Sequence, residues 1–146
     1  MKKWILFPVI VMLAFACKKD KDETPVSKEV KFKAVLIGGN EVPSTPSAGT
    51  GEANAVFNTE TKILTVTFTY SGLTASLSAW HIHKAPAGVN GGVIFNFGAP
   101  QPSGFVYTSP ALTADQENDL NTAGYYVNLH TSNYPGGEIR GQLLKQ

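Results

Sequence analysis

Cysteine occurs once in this chain of 146 residues, at Cys17, and a lone thiol excludes any internal disulfide. Basic charge is also scarce in most of the chain. Totals of 12 basic and 11 acidic residues nearly cancel. From Ala34 onward, however, the only basic residues are Lys62, Lys84, Arg140 and Lys145, set against Glu41, Glu52, Glu60, Asp115, Glu117, Asp119 and Glu138. That balance leaves no electrostatic footprint for a phosphate backbone, so nucleic acid is excluded as a partner. Long apolar runs are missing too: the run from Trp4 to Phe15 covers about 12 residues, short of the roughly 20 that cross a bilayer as a helix. There is no Gly-rich phosphate loop, no Gly-x-Ser-x-Gly elbow and no His-Glu-x-x-His helix. The enzyme classes that use those motifs drop out, and a non-catalytic role is the expectation.

What is present begins with a targeting device. Lys2 and Lys3 precede the apolar run, which ends in Leu13-Ala14-Phe15-Ala16-Cys17. This reads as a signal peptide over residues 1–16, removed on export. The segment resembles a bacterial lipobox, departing from it where Ala14 stands in the usual place of leucine, and the resemblance implies a lipid on Cys17. Acyl chains bind a membrane stably once two or three are attached, at roughly 0.8 kcal/mol per buried CH2. Lys18-Lys19-Asp20-Lys21-Asp22-Glu23 then forms a mixed-charge run that cannot bury apolar surface. Residues 17–28 are therefore expected to be a lipidated cysteine and tether. Lysine after the cysteine resembles lipoproteins sent to the outer membrane, so the expected location is the cell envelope, with the lipid at Cys17 holding the protein to the membrane.

Residues 29–146 have the length of one ordinary domain. Apolar and polar residues alternate from Val30 to Ile37 and, most cleanly, from Leu64 to Tyr70, where Thr65, Thr67 and Thr69 take the opposite face. Further strands are predicted at Glu52 to Phe57, Leu77 to His83, Gly92 to Phe97, Gly104 to Thr108, Tyr125 to Thr131 and Glu138 to Leu144. Turn clusters such as Ser71-Gly72, Asn90-Gly91-Gly92 and Pro135-Gly136-Gly137 separate them. Seven or eight short strands predict an all-β, antiparallel Greek-key sandwich. One short helix is predicted from Thr113 to Ala123, opened by a Thr113-x-x-Gln116 capping box and ended by Gly124.

All three histidines fall in two of these strands, in Trp80-His81-Ile82-His83 and Val127-Asn128-Leu129-His130. Residues two apart on a strand share a face, so His81 and His83 project together, and a neighbouring strand in the right register adds His130. Three imidazoles in one place suit copper or zinc. The same spacing also arises where histidines only tie a strand end to its loop. Glu138 and Arg140 share a face and are expected to pair with each other or with Glu41, or to support the histidines from behind. Asn90-Gly91 reads as a tight turn with positive φ. Phe95, Phe97, Phe105, Tyr107, Tyr125 and Tyr126 read as packing residues rather than a carbohydrate platform.

Three groups of residues together resemble the CHRD domain family. They are Gly39-Asn40-Glu41-Val42-Pro43; Trp80-His81-Ile82-His83 with Ala85-Pro86-Ala87-Gly88-Val89-Asn90-Gly91; and Tyr126-Val127-Asn128-Leu129-His130-Thr131 with Pro135-Gly136-Gly137-Glu138-Ile139-Arg140-Gly141-Gln142. The likeness covers Val30 to Leu144. It implies an immunoglobulin-like sandwich or a barrel of the superoxide-dismutase kind, and leaves the activity open. A two-metal dismutase centre needs more histidines than three and a disulfide, so counting excludes it. The expected function is a non-catalytic module at the cell envelope binding an extracellular protein, a glycan or the envelope itself; the alternatives are a mononuclear copper or zinc site at His81, His83 and His130, and a structural histidine cluster. Ring nitrogens within about 4 Å of one another favour the metal, and rings bonded to backbone carbonyls and to Glu138 or Arg140 favour structure.

Overall fold

The computed structural model describes Met1 and residues 28–146; the signal peptide, Cys17 and the tether up to residue 27 lie outside the described residues. Among the described residues are nine strands, one α-helix and a short 3-10 turn at Gly38–Asn40: β1 (Glu29–Ile37), β2 (Thr50–Asn58), β3 (Leu64–Ser71), β4 (Leu77–Lys84), β5 (Gly92–Asn96), β6 (Val106–Thr108), α1 (Ala114–Asn121), β7 (Tyr125–Thr131), β8 (Ile139–Gln142) and β9 (Leu144–Lys145). The all-β expectation holds. The strands form one continuous antiparallel sheet in the order β5-β4-β7-β8-β1-β2-β3-β6, with β9 added beside β1. β7 thus returns across the fold to lie between β4 and β8.

The sheet curls because one face of nearly every strand is apolar, and that face is buried only if the sheet wraps around it. Phe32, Ala34 and Leu36 of β1, Ala53, Ala55 and Phe57 of β2, and Leu64, Val66 and Phe68 of β3 all point inward with at most 2% of their surface exposed. Trp80 and Ile82 of β4 and Val127 and Leu129 of β7 meet them from the other side. Aromatic rings join the two ends of the sheet, β5 and β6, where no backbone ladder does. Just past the end of β5, Phe97 sits 4.6 Å from Tyr107 of β6 and 4.5 Å from Phe68, centroid to centroid. Trp80 fills the centre edge-on to Phe97 and donates its indole N–H to the Gly98 carbonyl. The six aromatic residues read as packing are buried or packed against this core.

Local departures have local causes. β6 begins at Val106 rather than Gly104, since Gly104 takes φ 98°, outside strand geometry. The last predicted strand is broken at Leu143, which turns into the core and donates its N–H to the Tyr125 carbonyl. α1 has the predicted capping box, with Thr113 and Gln116 each accepting from the other's backbone N–H. At its end the left-handed residue is Ala123, at φ 56°, and not Gly124. Gly124 is needed for close approach instead, because a Cβ there would lie 2.9 Å from the Asp119 carbonyl oxygen.

All seven residues of β7 are buried, unlike those of any other long strand. Its inward face meets the core. Its outward face, carrying Tyr126, Asn128 and His130, is roofed by the chain segments 38–49, 85–91 and 132–137. These are fastened across one another, with Asn90 donating to the Val42 carbonyl and Arg140 to the Asn40 carbonyl. A buried polar layer therefore lies outside the sheet, opposite the hydrophobic core.

Candidate metal centre

The β4–β7 ladder pairs Ala79 with His130, His81 with Asn128 and His83 with Tyr126. Alternation then places all three histidines on the outward face while Trp80 and Ile82 go to the core, as the spacing predicts. Ring centroids lie 5.0 Å apart for His81 and His130, 5.5 Å for His81 and His83, and 5.9 Å for His83 and His130. One nitrogen from each ring lies within 4.8 Å of the other two, looser than 4 Å as a trio, although His81 Nδ1 and His130 Nε2 are only 3.2 Å apart. Tetrahedral ligation at about 2.05 Å sets nitrogens about 3.3 Å apart, so closing on one ion asks for ring shifts of roughly 1 Å.

Hydrogen bonds fix which nitrogens are free. His83 Nδ1 lies 3.0 Å from the Gly91 carbonyl and His130 Nδ1 lies 3.0 Å from the Pro135 carbonyl. A carbonyl only accepts, so both Nδ1 atoms carry the proton and both Nε2 atoms keep a lone pair. His83 Nε2 is buried and has no hydrogen-bond partner. His130 Nε2 accepts from His81 Nδ1 across the 3.2 Å contact. The electrostatics agree. Burial pushes His81 down to about 4, helped by His130 and His83. Burial also lowers His83 and His130, against the opposing pull of their carbonyl partners. At neutral pH the His83 Nε2 lone pair is therefore free, and His81 Nδ1 and His130 Nε2 can both ligate once the His81 proton moves from Nδ1 to Nε2.

The three residues expected to support the rings behave differently. None of Glu138, Arg140 and Glu41 hydrogen-bonds a histidine. Glu138 is fully buried and is taken up by Ser47, Thr74 and Thr131. Arg140 and Glu41 do face each other, at 3.9 Å between Nε and Oε2, yet both side chains are only 4% exposed, so the pair is not a surface one. Burial pushes Glu41 up to about 7 despite the Arg140 charge and the Val42 N–H, both of which lower it. Its Oε1 has no partner.

Two residues read from the sequence in other roles, Tyr126 as packing and Gly91 as a turn, complete the site. Tyr126 stacks on His83, with centroids 4.9 Å apart and planes within 7°, and the Arg140 guanidinium lies 4.5 Å from the centre of the same tyrosine ring. Gly91 holds both rings at once: its carbonyl takes the His83 proton and its N–H donates to the Tyr126 hydroxyl. Gly91 does not take the positive φ that Asn90-Gly91 predicted; the left-handed residue of this loop is Gly88, at φ 79°. Instead it abuts backbone, for a Cβ on Gly91 would overlap the Lys84 carbonyl oxygen. Period-two alternation from His130 back to Tyr126 was the signal available for the tyrosine. No local signal marked Gly91 as a clamp.

Every element of this face falls inside residues 32–143, the stretch that matches the family model described as the CHRD domain. The chain belongs to the CHRD domain family. No curated protein and no solved structure matches the chain. Within this CHRD domain, segments 80–91 and 126–142 are the strands and loops that surround the histidines, and Gly39 to Pro43 supplies the Asn40 carbonyl and Val42 carbonyl that anchor Arg140 and Asn90.

Proposed function

We propose that this CHRD domain is a metal-binding module that takes a single copper or zinc ion on His81, His83 and His130. The observation that carries the reading is His83 Nε2, a buried lone pair without a partner, with its ring oriented from behind by a backbone carbonyl. A buried acceptor left unsatisfied costs about 1–3 kcal/mol, and ligation removes that cost. Metal-bound histidines almost always donate their second N–H to a carbonyl or carboxylate, which is how His83 and His130 are held. The carbonyl bonds therefore fit a ligand as well as a structural cluster, and the orphaned nitrogen favours the ligand. Binding rather than turnover is proposed, since among the described residues no carboxylate hydrogen-bonds the three rings. A glycan role has less support: Phe95, Phe97, Phe105, Tyr107 and Tyr125 are packed in or against the core, Tyr126 is buried between His83 and Arg140, and the exposed large apolar residues from 28 to 146 are aliphatic.

The purified protein, loaded and dialysed, is expected to carry one equivalent of copper or zinc by mass spectrometry. His83→Ala is expected to weaken that binding at least about 100-fold while leaving the far-ultraviolet circular dichroism unchanged. Full-strength binding by His83→Ala, or no stoichiometric metal on the wild type, refutes the assignment.

We further propose that the module works at the cell envelope, held by a lipid on Cys17 after export. No helix of the described residues is long and apolar enough to cross a membrane. Cys17→Ser is expected to move the protein from the membrane pellet to the soluble fraction. A variant that still pellets rules the lipid out as the anchor.

A further inference from the structure

We infer that Arg140, acting through Tyr126, is a positioning residue that biases the three-histidine site toward monovalent copper over divalent ions. The inference rests on the metal-binding reading above and deepens it.

The cluster of groups able to ligate an ion contains His81, His83 and His130, with no aspartate, glutamate or cysteine among the described residues. Three neutral imidazoles bring no negative charge to the ion, so whatever charge it carries stays uncompensated beside the buried His83 and His130. A cation is already there. Arg140 is 3% exposed, and its guanidinium lies over Tyr126, the ring that stacks on His83. Its hydrogen bonds all go to neutral acceptors, from Nε to the Asn40 carbonyl and from Nη1 to the Val89 carbonyl and Asn90 Oδ1. The nearest carboxylate oxygen, Glu41 Oε2, stands at 3.9 Å, beyond hydrogen-bond reach, and Glu41 holds its proton up to about pH 7. At slightly acidic pH, then, Arg140 has no full countercharge.

Repulsion from a fixed positive charge scales with the charge of the ion that enters, so a divalent ion meets twice the penalty of a monovalent one. Zinc has only the divalent state. Copper can take the lower charge, and imidazole suits it. Tyr126 lies against both the guanidinium and His83, and burial of all three keeps the screening weak; Gly91 fixes the ring to the ligand by bonding both.

The test measures the dissociation constants of Cu(II) and Cu(I) for the purified full-length protein near pH 6, against competing chelators and with ascorbate for the reduced ion. The readout is their ratio. Arg140→Gln is expected to lower the ratio of Cu(II) to Cu(I) dissociation constants about tenfold, or about 59 mV for a one-electron couple, whereas Arg140→Lys keeps it within about threefold. Arg140 is buried and its loss can unfold the polar layer, so a second variant leaves the arginine in place. Asn90 is exposed and its Oδ1 already accepts from Arg140 Nη1 at 2.9 Å; Asn90→Asp gives up the amide bond to the Val42 carbonyl, puts a carboxylate on the guanidinium and is expected to lower the ratio in the same direction. Copper-loaded Asn90→Asp with the wild-type ratio overturns the inference and leaves the metal site standing. A wild type that takes up neither copper ion overturns both.

Discussion

Gly91→Ala is expected to weaken metal binding at the proposed three-histidine site about 10- to 100-fold while leaving the sheet folded. The added Cβ would overlap the Lys84 carbonyl oxygen and come within 2.9 Å of the Ala85 side chain, and neither neighbour is the free end of a flexible chain. Segment 85–91 must therefore shift, and two bonds shift with it: the one that fixes the His83 proton on Nδ1 and the one that holds the Tyr126 hydroxyl. Overpacking of this kind costs about 1–3 kcal/mol, which a domain with an intact aromatic core tolerates. The larger effect falls on binding. Loss of a group that orients a metal-bound histidine weakens affinity about 10- to 100-fold. Competition titration with copper or zinc, paired with a thermal melt, separates the two effects. Wild-type affinity in a folded Gly91→Ala variant means that the Gly91 peptide does not orient the site.

Glu138→Ala should produce the largest loss of stability of any single change outside the apolar core. The carboxylate has no exposed surface and accepts four hydrogen bonds. Oε1 takes Ser47 Oγ at 2.6 Å and the Thr74 N–H at 2.7 Å, and Oε2 takes Thr74 Oγ at 2.9 Å and Thr131 Oγ at 2.5 Å. One side chain thereby ties the loop after β1, the loop after β3 and the end of β7. Hydrogen bonds to a charged acceptor contribute about 1.5–3 kcal/mol each and are not additive, so a loss on the order of 3–5 kcal/mol is expected in urea unfolding at neutral pH. Glu138→Gln keeps the shape but sets an NH2 against two of the donors, and should lose less.

The acid side follows from the same bonds. Burial pushes the Glu138 carboxyl up, but the bonds from Ser47, Thr131 and Thr74 outweigh it and hold it below its ordinary 4.5. A carboxyl depressed in the folded state contributes stability that is complete above its unfolded pKa and is lost as pH falls through the folded one. Wild type should therefore weaken below about pH 4.5 more steeply than Glu138→Gln. Parallel acid profiles for the two proteins would show that Glu138 is not held ionised by its neighbours.

Much of this was legible along the chain. Alternation in Leu64 to Tyr70 and Val30 to Ile37 requires one apolar face per strand, and Thr113 with Gln116 requires a helix start there, because those signals act between residues a few positions apart. The shared face of His81 and His83 follows from the same period of two. Glu138 was not legible: on sequence it is an acid two residues from Arg140, and only the return of three distant segments turns it into a buried hub. The partner assigned to it, Arg140, spends its own bonds on Asn40, Val89 and Asn90. Gly91 was misread for a related reason, since what constrains it is the carbonyl of Lys84 across the loop and not its own backbone dihedral.

By itself the sequence determined an all-β domain, its helix cap and the side of the strand on which the histidines stand, all matters of local period. Only the tertiary structure decided that β7 is covered on both faces, which nitrogens keep free lone pairs, and that a buried cation stands one aromatic ring away from them. Those depend on long-range register and on which backbone groups close over the strand, and no residue encodes them in its immediate neighbours.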